Sequence, residues 1–348
     1  MRVAIVHDDL VQWGGAERVL LGLSEIYPDA PIYTSVFDRT NTALLRNFGT
    51  KKVYTSFLQT IPGWKSLYKA LLPFYPIAFE QFDFSRFDLV ISHTTRFAKS
   101  IITKPQTLHI CYMHTPPRFL WHFSGETNFG LGEILLTKLR LYDQVSAHRV
   151  DYFLAGSENA KKRIKKVYNI ESRVVYPFVD LERFKDIESF DGGYFVIISR
   201  GNKYKRVDLA IKACFDLRLP LKVIGGFRES GNFKRVEFLG SLDDETAVSV
   251  LAGCRALIIP GVEDFGLTSL EAQTLGKPVI AFKEGGALET VIPGKTGIFF
   301  DEQTEESLGD ALLRLNSLGI DPQDCMKNAV RFSKEVFIKN FKAQVASL

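Results

Sequence analysis

The sequence predicts two doubly wound α/β domains, each a parallel sheet with helices on both faces. Three observations carry that reading. Short apolar, β-branched runs of strand length alternate with longer runs whose apolar residues recur at helical spacing, a pattern that gives parallel sheets. The alternation runs once, breaks near residues 177–193 at a proline, a charged stretch and Gly192-Gly193, and starts again. The chain has 348 residues, close to two domains at roughly 100–200 residues each.

In the first half, a strand over 2–6 leads through Gly14-Gly15 into a helix over 16–26, where Val19, Leu20, Leu23 and Ile26 share one face. Further strands are expected at 88–92, 108–112, 152–155 and 173–176, with helices over 131–149 and 158–168. The second half predicts strands at 194–199, 221–225, 236–239, 256–260 and 278–281, and helices over 207–217, 245–252, 269–275 and 305–317. A last helical pattern covers 324–345. The expected domains are 1–178 and 179–325, followed by a C-terminal helix, 326–348. Ligands of such sheets gather at the carboxyl ends of the strands.

Composition narrows the function. Hydrophobic residues at 46% and charged residues at 24% exclude a disordered or fibrous chain. A net charge of +4 is too small for a dedicated nucleic-acid binder. Residues 1–178 carry 22 Lys+Arg against 15 Asp+Glu, a balance of +7, and the remainder 22 against 25, a balance of −3. The first half therefore suits an anionic partner, a lipid surface or a phosphate-bearing substrate. Four scattered cysteines without a Cys-x-x-Cys pair argue against a disulfide scaffold or zinc site and fit a reducing compartment. No secretory leader or spanning run is read, so the expected location is cytoplasmic, with peripheral contact at the inner membrane face.

Residues 57–87 hold Trp64, Tyr68, Phe74, Tyr75, Phe79, Phe82, Phe84 and Phe87 among Lys65, Lys69 and Arg86. Two readings stand: an interfacial segment touching a membrane or lipid acceptor, or an insertion whose aromatics pack under the first domain.

Chemistry concentrates after predicted strands. Glu263-Asp264-Phe265-Gly266-Leu267-Thr268-Ser269-Leu270-Glu271 sets two carboxylates eight residues apart at the opening of a helix, whose first amides form an anion site. Thr268-x-x-Glu271 also reads as a capping box that needs no ligand. Arg200 and Lys205 lie in the loop after the strand at 194–199 and can neutralise a diphosphate, or form a solvated basic turn. Gly14-Gly15 allows close backbone approach to an anion, or a tight turn. His114 follows the strand at 108–112 and can hydrogen-bond a sugar or an acceptor hydroxyl, or serve structure. No metal site is read: His109 and His122 lack a ligand spacing, and no Asp-x-Asp occurs among 20 aspartates. Gly-x-Ser-x-Gly and P-loop motifs are missing, which removes the hydrolase and NTPase readings.

Together these motifs resemble the retaining glycosyltransferases of family 4, with the GT-B fold, along essentially the whole chain. The family's Glu-x7-Glu matches Glu263 and Glu271, its Arg and Lys match Arg200 and Lys205, its glycine loop matches Trp13-Gly14-Gly15-Ala16-Glu17, and its acceptor-side His matches His114. His-Thr-Pro-Pro-Arg is most similar to mannosyltransferase-type members of bacterial O-antigen and surface polysaccharide synthesis. The resemblance implies two domains facing a cleft and a C-terminal helix crossing back to the first. It implies a nucleotide-sugar donor, GDP-mannose first and a UDP-hexose or UDP-N-acetylhexosamine as alternative, and a glycan or lipid-linked acceptor, with no metal required. By the same resemblance Glu263, His114, Arg200 and Lys205 are catalytic. Gly14, Gly15, Arg200, Lys205, Phe238, Glu263, Phe265, Gly266, Leu267, Thr268 and Glu271 bind the donor, Glu271 at the ribose hydroxyls. Two other activities remain on this fold: a sugar-nucleotide epimerase or hydrolase, and a non-catalytic binding subunit.

Overall fold

The structure of the chain, a computed structural model, describes every residue except 69, 124–130, 200 and 228–232. It divides into two units, Met1–Tyr176 with Ile338–Leu348, and Pro177–Phe337.

The first unit is built on β1 (Val3–His7), β2 (Ile32–Thr34), β3 (Val53–Thr55), β4 (Leu89–Thr94), β5 (Leu108–Met113), β6 (Tyr152–Ala155) and β7 (Ser172–Val174). They form one parallel sheet in the order β3-β2-β1-β4-β5-β6-β7. β1 and β4 are buried along their whole length, which is why they read as continuous apolar runs. Strand order reverses between β1 and β4, so a crevice opens at their carboxyl ends. The register pairs His7 with His93 across these two strands, and His93 with Tyr112 on β5.

The helix Gly15–Ile26 buries Val19, Leu20 and Leu23. The helix Glu158–Tyr168 starts at Ser157, whose side chain accepts from the Ala160 amide, and stops at Asn169 with φ 57°. Lys99 and Asp143, both fully buried, form an ion pair. Asp143 also accepts from Trp121 Nε1 and Tyr168 Oη, each at 2.8 Å, so the buried charge is fully partnered. At the end of the chain Phe341 packs edge-on to Tyr112, within the first unit.

Packing under this unit, one of the two readings of residues 57–87, accounts for most of their aromatic side chains. Tyr75, Phe79 and Phe84 are at most 1% exposed, and Trp64, Tyr68 and Phe82 pack against the same cluster. Phe74 is about half exposed. Lys65 pairs with Asp38 at 2.5 Å, and Lys69 lies outside the described residues. Among the described residues no helix is long and apolar enough to cross a membrane.

The second unit is built on β8 (Tyr194–Ile198), β9 (Leu221–Ile224), β10 (Val236–Gly240), β11 (Cys254–Ile259), β12 (Val279–Phe282) and β13 (Gly297–Phe300). This sheet is also parallel throughout, in the order β10-β9-β8-β11-β12-β13. Its order reverses between β8 and β11.

The structure departs from the sequence reading at short elements. β2 and β3 have three residues each, too few to show a period. β13 is four residues long and follows directly on a glycine-containing turn. The pattern over 324–345 is two helices, Pro322–Val330 and Lys334–Ala346, the first opened by Asp321 as cap and Pro322 at its first position. The helix expected over 305–317 ends at Arg314 and tightens into a 3-10 turn over Leu315–Ser317. All four cysteines are free and buried.

Candidate active site

In the second unit the switch-point loops meet backbone to backbone. β8 leads through the turn Lys203–Lys205 into the helix Val207–Asp216. β11 leads through Gly261 and Glu263 to the helix Leu267–Thr274. A Cβ on Gly261 would lie 2.1 Å from the Tyr204 carbonyl oxygen and 2.7 Å from Lys205 Cα, so this close approach admits only glycine. The contact brings Lys205 to Glu263, and their side chains form an ion pair, 19% and 12% exposed. Gly286, after β12, braces the other side: its N–H donates to the Glu263 carbonyl at 2.9 Å, and a Cβ there would fall 2.3 Å from Phe265 Cα. Lys205, Glu263 and Thr268 line a small crevice with the ends of β8 and β11.

Gly266 takes φ 97° and caps the helix Leu267–Thr274 without a side-chain hydrogen bond. This corrects the capping-box alternative. Thr268 is the second helical residue, and its hydroxyl does not cap the helix. Glu271 accepts instead from Arg183 Nη1 at 2.8 Å. Arg183 in turn grips Asp244 through two donors, at 3.0 and 2.7 Å. Phe265 is a core side chain stacked edge-on to Phe332, so only its backbone can face a ligand. Phe238 lies on the edge strand β10 and packs against the core of its sheet; it does not line the crevice beside Lys205. Arg200 lies outside the described residues.

In the first unit, Gly14 is extended, φ −166°, and Gly15 is the first residue of its helix, again with no side-chain cap. The nearby strand ends are crowded with polar groups. Asp8, buried, accepts from Thr94 Oγ1 at 2.8 Å and from the amides of Thr95, Phe97 and Ala98 at 2.7 to 2.9 Å. Burial alone raises its pKa, but Arg96, His7 and these amides hold it below the usual carboxylate value. Asp9 pairs with Arg96 at 2.6 Å and accepts from Tyr68 Oη at 2.8 Å.

His114 is partly buried, with Nε2 2.6 Å from His93 Nε2. His93 Nδ1 is 3.0 Å from His7 Nδ1, and His7 Nε2 is 4.0 Å from the buried Glu17 carboxylate. Burial first, then the neighbouring His114 and His7, pushes the His93 pKa well below its ordinary value. His109 is apart from this chain, bonded to Ser92 Oγ at 2.8 Å. Burial lowers its pKa to about 3. Of the expected site residues, Lys205, Glu263, Gly266 and Thr268 come together in one unit, with Glu271 further along the same helix. His7, His93, Glu17, Arg183 and Asp244 were not anticipated. The sequence carries a signal for two of them: β1 ends in His7, and His93 is the last residue but one of β4. Among the described residues no group of three or more His, Cys, Asp or Glu is placed to hold a metal ion.

Comparison with known proteins bears on this geometry. Residues 13–183 match the model of Glycosyltransferase Family 4 and residues 179–332 that of Glycosyl transferases group 1. The chain is 25% identical to the alpha-1,3/1,6-mannosyltransferase ALG2 of Dictyostelium discoideum, over 100% of this chain and 98% of the relative, and 23% identical to that of Mus musculus, over 99% and 96%. Among solved structures it is similar to a sucrose-phosphate synthase from Thermosynechococcus elongatus, at TM-score 0.75, 14% identity and coverage of 100% and 99%. It is also similar to Anabaena Alr3699/HepE in complex with UDP and glucose, at TM-score 0.71, 18% identity and full coverage of both chains. Two parallel-sheet units of this kind, with glycosyltransferase models matched over residues 13–332 and relatives matched along the whole chain, make the chain a glycosyltransferase of the GT-B fold, related to family 4 and to mannosyltransferases.

Proposed function

We propose that the chain transfers a hexose from a nucleoside diphosphate sugar to a glycan or lipid-linked glycan with retention of configuration and without a metal ion. The observation that carries the reading is the Lys205–Glu263 pair, held by Gly261 beside the start of the helix Leu267–Thr274, whose glycine cap offers its first amides no side-chain acceptor. Lys205, Arg200 and the amides of residues 265–267 take the charge that develops on the diphosphate as the sugar C1–O bond breaks. Glu263 contacts the sugar. Glu271 accepts from the ribose hydroxyls, sharing them with Arg183. The acceptor hydroxyl attacks C1 from the side the leaving group departs, and its proton passes to the departing phosphate oxygen, so no side chain serves as nucleophile. Gly14, Gly15 and His114 assist from the first unit, His114 by hydrogen bonding to the substrate.

The donor we favour is a UDP-hexose, a reading supported by relatives of the same fold solved with UDP, glucose and UDP-glucose. GDP-mannose, expected first from the sequence, is the second reading, supported by the mannosyltransferase relatives. Melting temperature with UDP, GDP, ADP and dTDP sugars separates the two, since only a bound ligand raises it. A rise with GDP-mannose alone transfers the donor to the second reading. No rise with any sugar nucleotide, consumption of donor without acceptor at the full rate, or loss of turnover on chelation of divalent ions contradicts the proposal.

A further inference from the structure

We propose that Gln273 and Asn328 are positioning residues of the second-unit site: their two carboxamides meet on one carbonyl and fix both the helix Leu267–Thr274 and the turn that braces Glu263. The inference rests on the reading of Glu263 and of the first turn of that helix as donor contacts, and adds what holds them in place.

Gln273 lies in the helix Leu267–Thr274, Asn328 lies in the helix Pro322–Val330, and Thr290 ends the short helical turn Ala287–Thr290. All three are buried. Gln273 Nε2 donates to the Thr290 carbonyl at 2.8 Å and to Ser269 Oγ, one turn back in its own helix, at 2.9 Å. Asn328 Nδ2 donates to the same carbonyl at 2.9 Å and to Gln273 Oε1 at 2.6 Å. Arg331 Nη1 closes the set by donating to Asn328 Oδ1 at 2.9 Å.

The orientation of both side chains follows from the shared carbonyl. Its oxygen only accepts, and its two lone pairs take two donors. Each carboxamide therefore turns its NH2 toward Thr290, and all four of their protons are used. Gln273 Oε1 and Asn328 Oδ1 are left as acceptors, and both are met. Buried polar groups cost free energy unless they are bonded. Two uncharged amides thus suit this place: a single apolar residue would orphan its partner's amide, and a carboxylate would set oxygen against the Thr290 oxygen.

The set is joined to the site on two sides. Thr290 Oγ1 donates to the Gly286 carbonyl at 3.4 Å, and the Gly286 N–H holds the Glu263 carbonyl at 2.9 Å. On the other side Ser269 sits in the first turn of the helix Leu267–Thr274, and its own N–H donates to the Gly266 carbonyl at 3.0 Å. At the far end of that helix a Cβ on Gly276 would fall 2.9 Å from Pro322 Cβ, so glycine there lets the helix Pro322–Val330 seat closely. A fully satisfied buried network rigidifies the elements it joins. Glu263 and the opening of the helix are therefore held at one spacing.

The test separates positioning from stability. Asn328→Leu removes two donors and leaves Gln273 Oε1 without its partner. Leu308→Val trims a buried core side chain outside this network, in the helix Glu305–Arg314, and serves as the stability control. In the full-length proteins at 25 °C, hydrogen–deuterium exchange is followed by mass spectrometry in peptides covering 263–271 and 285–291. Kinetics use the sugar nucleotide that raises the melting temperature of the wild type. In Asn328→Leu, exchange in both peptides is expected to quicken about tenfold and kcat to fall about tenfold, with exchange over 89–94 and 108–113 unchanged. Leu308→Val is expected to lower the melting temperature and to keep kcat within about twofold of wild type. Wild-type exchange in the two peptides of Asn328→Leu overturns the proposal, and so does quickened exchange with kcat unchanged. A Leu308→Val protein that loses kcat as Asn328→Leu does also overturns it, because stability alone then accounts for the loss. If Asn328→Leu does not fold, Gln273→Met, which keeps the length of the side chain, is read in the same way. Quickened exchange in both peptides, in a chain whose wild type binds no sugar nucleotide, leaves the amide network standing and removes the functional reading instead.

Discussion

Gly261→Ala is the sharpest perturbation of the second-unit site, because it adds one carbon and removes nothing. The new Cβ would sit 2.1 Å from the Tyr204 carbonyl oxygen, against the 3.4 Å at which ordinary contact begins. The two loops must therefore part by about 1.3 Å (3.4 − 2.1), and both sides of the contact are backbone that cannot rotate away. Lys205 moves with its loop, and Glu263 stays braced by Gly286. A misplacement of roughly 1 Å costs on the order of 10²-fold in rate, while overpacking costs about 1–3 kcal/mol of stability. We expect kcat/KM to fall about 100-fold and the melting temperature by several degrees, with the protein still folded at 25 °C. Gly309→Ala is the control. That glycine lies inside the helix Glu305–Arg314, where a Cβ meets only Leu217 Cδ1 at 3.5 Å, so stability should rise by up to about 1 kcal/mol and kinetics stay unchanged. Donor affinity and turnover within threefold of wild type in a folded Gly261→Ala protein would refute the view that this contact positions Lys205.

Two further replacements follow from the polar networks. Asp8→Asn puts a donor against the amides of Thr95, Phe97 and Ala98, and should cost about 3 kcal/mol in urea unfolding. Because the folded pKa of Asp8 lies below 3.8, its stabilisation is present above that value and fades as pH falls through the folded pKa; an acid-unfolding profile as steep in Asp8→Asn as in wild type would contradict this. Arg183→Met leaves Glu271 and Asp244 without their shared cation and should raise donor KM about tenfold with kcat within threefold; an equal loss in kcat would mean that Arg183 acts in the transition state.

The long buried strands and helices were legible because their periods span enough residues to register, and because glycines and caps mark their ends. β2 and β3 were not, since three residues carry no period and their pairing is decided by the sheet they join. The same distinction holds at the site. Lys205 and Glu263 could be read because both follow strong strands and stand in a spaced motif. Arg183 could not, because its partner Glu271 lies 88 residues away and only the fold brings them together. Phe238 is an apolar residue on a strand, and packing against the core is the ordinary fate of that pattern. His7 and His93 stand at or next to the ends of their strands, yet only the parallel register sets one beside the other.

The two switch points use charge differently. In the first unit the polar groups at the strand ends satisfy one another: Asp8 by hydroxyl and amide donors from residues 94–98, Asp9 by Arg96 and Tyr68, the histidines side by side. Breaking such a buried set leaves groups uncompensated, so its geometry resists change. In the second unit the pairs Lys205–Glu263 and Arg183–Glu271 remain partly exposed, at 12 to 21%. Pairs of that kind are held by modest net energies and can exchange partners. On the proposed reading, a diphosphate reaching Lys205 would replace one oxyanion by another, so the lysine would keep a partner throughout, while Glu263 would be released toward the hydroxyls of a sugar. Rigid polar packing thus suits a unit proposed to align a group, and exchangeable ion pairs suit a unit proposed to bind and then discharge an anion on every turnover.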